Sequence, residues 1–202
     1  MLNILAERIA RFLMNGIRDE QQYEVCQYGC ETILYTIIST IGLLLIGVFT
    51  GFLQETIVII SVFYLCQSNG GGYHASTHIK CFITMAVGLA FSLSIIRICN
   101  YHSPYLVALI ISSIILIKHP LCLHSNKRYL EIAGQQLTMK SRIVSISIIA
   151  LTVVNYIVGY HRIGRAGCVA LLVSALSRAI AYNKIQIESN EQDEQIINVH
   201  IG

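Results

Sequence analysis

Charge and proline are scarce in this chain. Aspartate, glutamate, lysine and arginine make up 12% of its 202 residues, against about 25% in an ordinary soluble domain. Proline occurs twice, at Pro104 and Pro120. A single soluble domain of this size would need polar surface that the chain does not carry. A composition 54% hydrophobic is not that of a disordered or collagen-like chain. The net charge of +3 is too small to imply a polyanion, so no nucleic-acid partner is expected. The 7 cysteines are odd in number and follow neither a disulfide nor a metal spacing. Most lie in or beside apolar runs, where a free cysteine behaves as a small hydrophobe.

What remains is apolar sequence in long runs, with a mean hydropathy of +0.63. The expected fold class is an all-α integral membrane protein of about six transmembrane helices plus an N-terminal amphipathic helix. A hydrocarbon core takes about 20 helical residues to cross. The runs are 32–53, 56–67, 79–99, 104–117, 143–160 and 165–182. Ser103 reads as the N-cap of the fourth, with Pro104 at its first position. Run 56–67 is short, reaching only about 18 Å, and needs flanking residues or a thinned bilayer. Before the runs, Leu2, Leu5, Ile9, Phe12 and Leu13 alternate with Glu7, Arg8 and Arg11 at helical spacing. That pattern is an amphipathic helix, within a cytoplasmic region 1–30, and has no continuous apolar core of a signal peptide. Residues 1–182 read as one polytopic membrane domain. Residues 183–202 carry Glu188, Glu191, Asp193 and Glu194 and read as an acidic, solvated cytoplasmic tail.

Six spans with both ends inside put all the basic residues except Arg97, Arg162 and Arg165 on the inner side. That bias satisfies the positive-inside rule. If 56–67 fails to cross, every later segment inverts.

The unusual stretch is Gly70-Gly71-Gly72-Tyr73-His74-Ala75-Ser76-Thr77-His78-Ile79-Lys80-Cys81. Consecutive glycines allow an irregular backbone, and two histidines precede a cysteine at the inner mouth of a span. A thiol becomes a nucleophile when a base removes its proton, and histidine does so near neutral pH. A glycine-rich turn with interfacial histidines is the plainer alternative. On one continuous helix His78 and Cys81 could meet. His74 and Cys81 would stand about 10.5 Å apart along the axis, so His74 can act only if the chain bends. His74 and His78 could share a helix face as zinc ligands. However, no Asp or Glu lies between Glu55 and Glu131 to serve as a metallopeptidase base. No metal or other cofactor is expected.

Gly71 to Cys81 resembles the accessory gene regulator protein B (AgrB) family of bacterial membrane cysteine peptidases. The resemblance extends over nearly the whole chain. It includes the basic amphipathic start, Tyr28-Gly29-Cys30-Glu31 before the first span, and Asn126-Lys127-Arg128 in the basic loop. It implies that His74 is the catalytic base and Cys81 the nucleophile. Glu31 would orient the histidine or bind peptide backbone. Gly71, Gly72, Ser76, Thr77 and His78 would support the site, with Ser76 or Thr77 among the candidate oxyanion donors. The family often carries arginine where this chain has Gln67. Gln67, Lys80, Lys127 and Arg128 are the candidate contacts to an acidic peptide tail. The implied substrate is an AgrD-type pro-peptide, cleaved before its acidic tail and cyclised to a thiolactone or lactone for quorum sensing. The implied setting is the bacterial cytoplasmic membrane, with both termini inside, the lipid bilayer as partner, and a homodimer left open. The reading from another class is a small membrane transporter or structural membrane protein whose cysteine is incidental.

Overall fold

The structure is a computed structural model that describes residues 2–14, 20–71, 78–99, 101–119 and 127–201. These residues form helices in the order α1 (Leu2–Leu13), α2 (Glu20–Thr50), α3 (Leu53–Gly70), α4 (His78–Ile98), α5 (Ser103–Lys118), α6 (Lys127–Ile157) and α7 (His161–Ile201). Most of each of the six apolar runs lies in its own helix, α2 to α7, while the first, third and fifth runs extend past the ends of α2 at Thr50, α4 at Ile98 and α6 at Ile157. Among the described residues, four helical stretches are long and apolar enough to cross a membrane: Gln22–Thr50, Ile79–Ile98, Gln135–Ile157 and His161–Asn183. The apolar α5 is shorter. The chain is thus a membrane protein, all-helical among the described residues, and length and composition alone qualify four of the six runs as spans.

The chain divides into two compact units, Met1–Gly51 and Phe52–Gly202. In the first, α1 lies on the N-terminal part of α2. Ala6 and Ala10 are buried with Cys30, and Ile9, Tyr23, Cys26 and Leu34 close around them. Two alanines one turn apart let the helices approach closely. Ile4, Leu5, Phe12 and Leu13 stay exposed, as do Ile33, Ile37, Ile41, Leu45 and Phe49 farther along α2. Arg11 is held by the Tyr23 side chain and then by Glu7, 2.5 Å away, which together push its pKa above the usual arginine value.

In the second unit α7 is the centre. Of its window His161–Asn183, 56% is buried, against 22% for the windows of α4 and α6. Small residues explain this: Ala166, Cys168, Ala170, Ser174, Ala175 and Ala181 are all buried. In lipid the tails around a helix are as apolar as leucine, so close van der Waals packing of small residues holds helices together. Buried hydroxyls bond back to their own helices, Ser92 to the Gly88 carbonyl (2.7 Å), Thr152 to Ile148 (2.8 Å) and Ser174 to Ala170 (2.8 Å). No water is needed to satisfy them.

Polar contacts collect at the two ends of this unit. At one end Arg162 Nε approaches the buried Glu55 Oε1 at 2.7 Å, an ion pair off the line of a hydrogen bond. There too the Tyr105 hydroxyl donates to the Cys99 carbonyl (2.7 Å), and His102 Nδ1 meets the Tyr156 hydroxyl (2.5 Å). At the other end Gln67 meets Ser177, and Arg178 reaches the carbonyls of Cys66 and His119. Helices α3, α5 and α7 therefore run in one direction, and α6 runs against them.

Ser103 does not cap α5. The helix starts at Ser103 itself, and His102 holds the cap position with no side-chain cap bond. The His102 ring is engaged with Tyr156 instead. Helix α7 runs on through the acidic segment to Ile201, and neither glycine nor proline occurs between 168 and 201 to stop it.

Candidate functional site

The site is built around the exit of α3 and the start of α4. Helix α3 ends at Gly70, and Gly71 closes it with φ 69° and ψ −177°, its N–H donating to the Gln67 carbonyl at 2.9 Å. A side chain at this positive φ would be strained, so glycine is required where the chain leaves the helix. Helix α4 resumes at His78, which makes Cys81 its fourth residue. Cys81 is a free, half-buried thiol in the first turn, where the positive end of the helix dipole lies. His78 precedes it by three positions on the same helix. Lys80 is exposed beside it.

His74, Gly72, Ser76 and Thr77 lie outside the described residues, as do the side chains of His78, Lys127 and Arg128. Backbone positions are described for the last three, with Lys127 and Arg128 opening α6. Glu31 is half-buried on α2, in the N-terminal unit. Gln67 is half-buried, and its Nε2 donates to Ser177 Oγ at 3.0 Å, so its amide joins α3 to α7.

What the structure does bring together at the exit of α3 centres on a residue the sequence reading used only for topology. Arg178 of α7 is 1% exposed. Its Nη2 donates to the Cys66 carbonyl at 2.9 Å, and its Nη1 makes a longer contact, 3.4 Å, to the carbonyl of His119, the C-cap residue of α5. The guanidinium lies close to the α3 backbone at Gly70. A Cβ on Gly70 would fall 2.1 Å from Nη2 and 2.8 Å from Ser141 Oγ of α6. Gly70 is thus glycine because a side chain there would displace the arginine. A buried charge is costly unless hydrogen-bonded, and this one lies against the negative end of a helix dipole. The signal for it in sequence was a lone arginine within the apolar run Ala175-Leu176-Ser177-Arg178-Ala179-Ile180. An ionisable residue in a membrane helix faces the bundle interior by default.

The arrangement therefore sets a free thiol at a helix start. Gly71 takes the chain out of α3 three residues before His74 in the sequence, and a buried cation contacts the last turns of that helix. Comparison with curated proteins and with solved structures returns no match. A family model described as Accessory gene regulator B matches residues 6–187, across both units and through the whole of the His74–Cys81 segment. The chain belongs to the accessory gene regulator B family, a membership that supports a role in the accessory gene regulator system.

Proposed function

We propose that the chain is a membrane cysteine endopeptidase that trims and cyclises an AgrD-type signal pro-peptide for quorum sensing. The observation that carries this reading is Cys81 in the first turn of α4, four residues beyond the His74–Thr77 segment, inside a chain matched to the family from residue 6 to 187. His74 accepts the Cys81 proton. The thiolate attacks the peptide carbonyl before the acidic tail and forms a tetrahedral intermediate. Its collapse breaks the C–N bond, with the proton passing from His74 to the departing amine, and leaves a thioester on Cys81. A Cys or Ser side chain of the peptide then attacks that thioester. Its proton returns by way of His74 to Cys81, and the signal leaves as a thiolactone or lactone. Water would hydrolyse the thioester, so a half-buried thiol favours ring closure.

Lys80, Lys127 and Arg128 attract the acidic tail, and Glu31 orients the histidine or the peptide. Gln67 remains a candidate contact to the peptide through its Oε1, since its Nε2 is engaged by Ser177. The proposed topology has six spans, an interfacial helix α1, both termini in the cytoplasm and residues 183–202 as a cytoplasmic extension. The support for a crossing α3 is its register with α7. Glu55 meets Arg162 at one end and Gln67 meets Ser177 at the other, so α3 parallels α7 over the same depth.

The test is co-expression with a cognate precursor carrying an acidic tail. Wild type is expected to release the tail and yield a cyclic product, with an acyl adduct on Cys81 detectable by mass spectrometry. Cys81→Ser is expected to release no tail; cleavage at the wild-type rate in that variant would overturn the reading and favour an incidental cysteine.

A further inference from the structure

We infer that Arg178 is a positioning residue that couples the exit of α3 to the exit of α5 and thereby sets both the catalytic segment and the basic segment. This rests on the peptidase reading above. One guanidinium, carried by α7, bonds the Cys66 carbonyl in the last turns of α3 and contacts the His119 carbonyl that ends α5. Three residues after Gly71 comes His74. Eight residues after His119 comes Lys127. The ends of α3 and α5, from which the chain continues to His74 and to Lys127, thus share one anchor.

Three features argue that this contact is built rather than incidental. Arg178 is buried to 1% exposure in the most enclosed helix of its unit. Gly70 leaves room for the guanidinium that any side chain would occupy, and Ser141 of α6 closes the same space. Next to it, Ser177 accepts a hydrogen bond from Gln67, the residue after Cys66 on α3. An arginine is suited to the task because its planar fork serves two acceptors at once, whereas a lysine is a point charge.

The experiment measures precursor cleavage by the full chain in lipid vesicles for wild type, Arg178→Met, Arg178→Lys and Gly70→Ala. Thermal melting confirms folding. A second readout is the distance distribution between spin labels on genetically encoded residues at the exposed positions Ser68 and Lys118, which lie beside the two exits. Arg178→Met is expected to lower kcat on the order of 10²-fold, the cost of a misplaced reacting group. It should also raise KM and broaden the label distances. Arg178→Lys should recover part of each. Gly70→Ala, which keeps the charge but displaces it, should lower kcat as well, and it decides the matter alone if Arg178→Met does not fold. Folded variants with wild-type kcat and KM would overturn the inference, as would unchanged label distances in Arg178→Met. Normal cleavage by both Cys81→Ser and His74→Ala would instead defeat the peptidase reading. The label distances would then still decide whether Arg178 couples the two exits.

Discussion

Two histidines compete for one thiol. His78 shares a helix with Cys81 three positions away, while His74 precedes the helix by four residues and needs a bend in the chain. The sharp exit at Gly71, with φ 69°, already turns the backbone out of α3 just before His74. In the proposed mechanism His74 is the base. His74→Ala is expected to reduce tail cleavage by about 10²–10⁴-fold, the usual contribution of a general base. His78→Ala should stay within a few-fold of wild type. Single-turnover assays on the two variants check this, and a reversed order would make His78 the base. Gly71→Ala tests the exit itself. A Cβ at that φ is expected to cost about 1–2 kcal/mol, seen as a lower melting temperature.

At the scale of helices, α3 has the weakest claim to cross a membrane on composition, and the contacts at its ends supply what composition does not. Glu55 is buried to 1% exposure while its partner Arg162 is 60% exposed. The asymmetry fixes which side of the pair should matter. Arg162→Ala leaves a buried carboxylate without its cation and is expected to cost about 1–3 kcal/mol. Glu55→Gln in the Arg162→Ala background should regain most of that, because the uncompensated charge is gone. Melting of the single and double variants in one detergent measures the difference. Six apolar runs were legible in the sequence, and a helix covers most of each. Hydropathy could not read their ends. Helix α2 begins at Glu20, twelve residues before the first run, and α6 begins at Lys127, sixteen before the fifth. Hydrophobicity reports depth in the bilayer, and a helix can continue past the hydrocarbon, as α2 does through Gly29 and α6 through Gly134. The candidate pair His74 and Cys81 could be named from sequence because the two lie seven residues apart in one motif. Arg178 could not, because its partners lie 112 and 59 residues away in the chain.

For the whole molecule the open quantity is topology, and α3 decides it. The helix is short, yet Glu55 and Cys66 contact α7 at Arg162 and Arg178, residues sixteen apart on a span 56% buried. On α3 the contact residues Glu55 and Cys66 are eleven apart, a rise of about 16.5 Å, and the whole helix of 18 residues rises about 27 Å, against a hydrocarbon core of about 30 Å. The polar residues Gln54, Glu55, Gln67, Ser68 and Asn69 then fall at its two ends, near the interfaces. A crossing α3 keeps Lys80, Lys118, Lys127, Arg128, Lys140 and Arg142 on the side of the N-terminus, as the positive-inside rule requires. A non-crossing α3 would place all six across the membrane from Arg8 and Arg11. Alkaline phosphatase fusions are active only outside the cytoplasm, so they separate these outcomes. Fusions after Gln54, Tyr101 and Tyr160 are expected to be active, and those after Asn69, Lys118 and Asn183 inactive. Activity after Asn69, Lys118 and Asn183, with none after Tyr101 and Tyr160, would mean that α3 turns back, and would put Cys81 on the side opposite the N-terminus. Only the first pattern leaves Cys81 and the basic residues of α6 facing the same compartment as a peptide made in the cytoplasm.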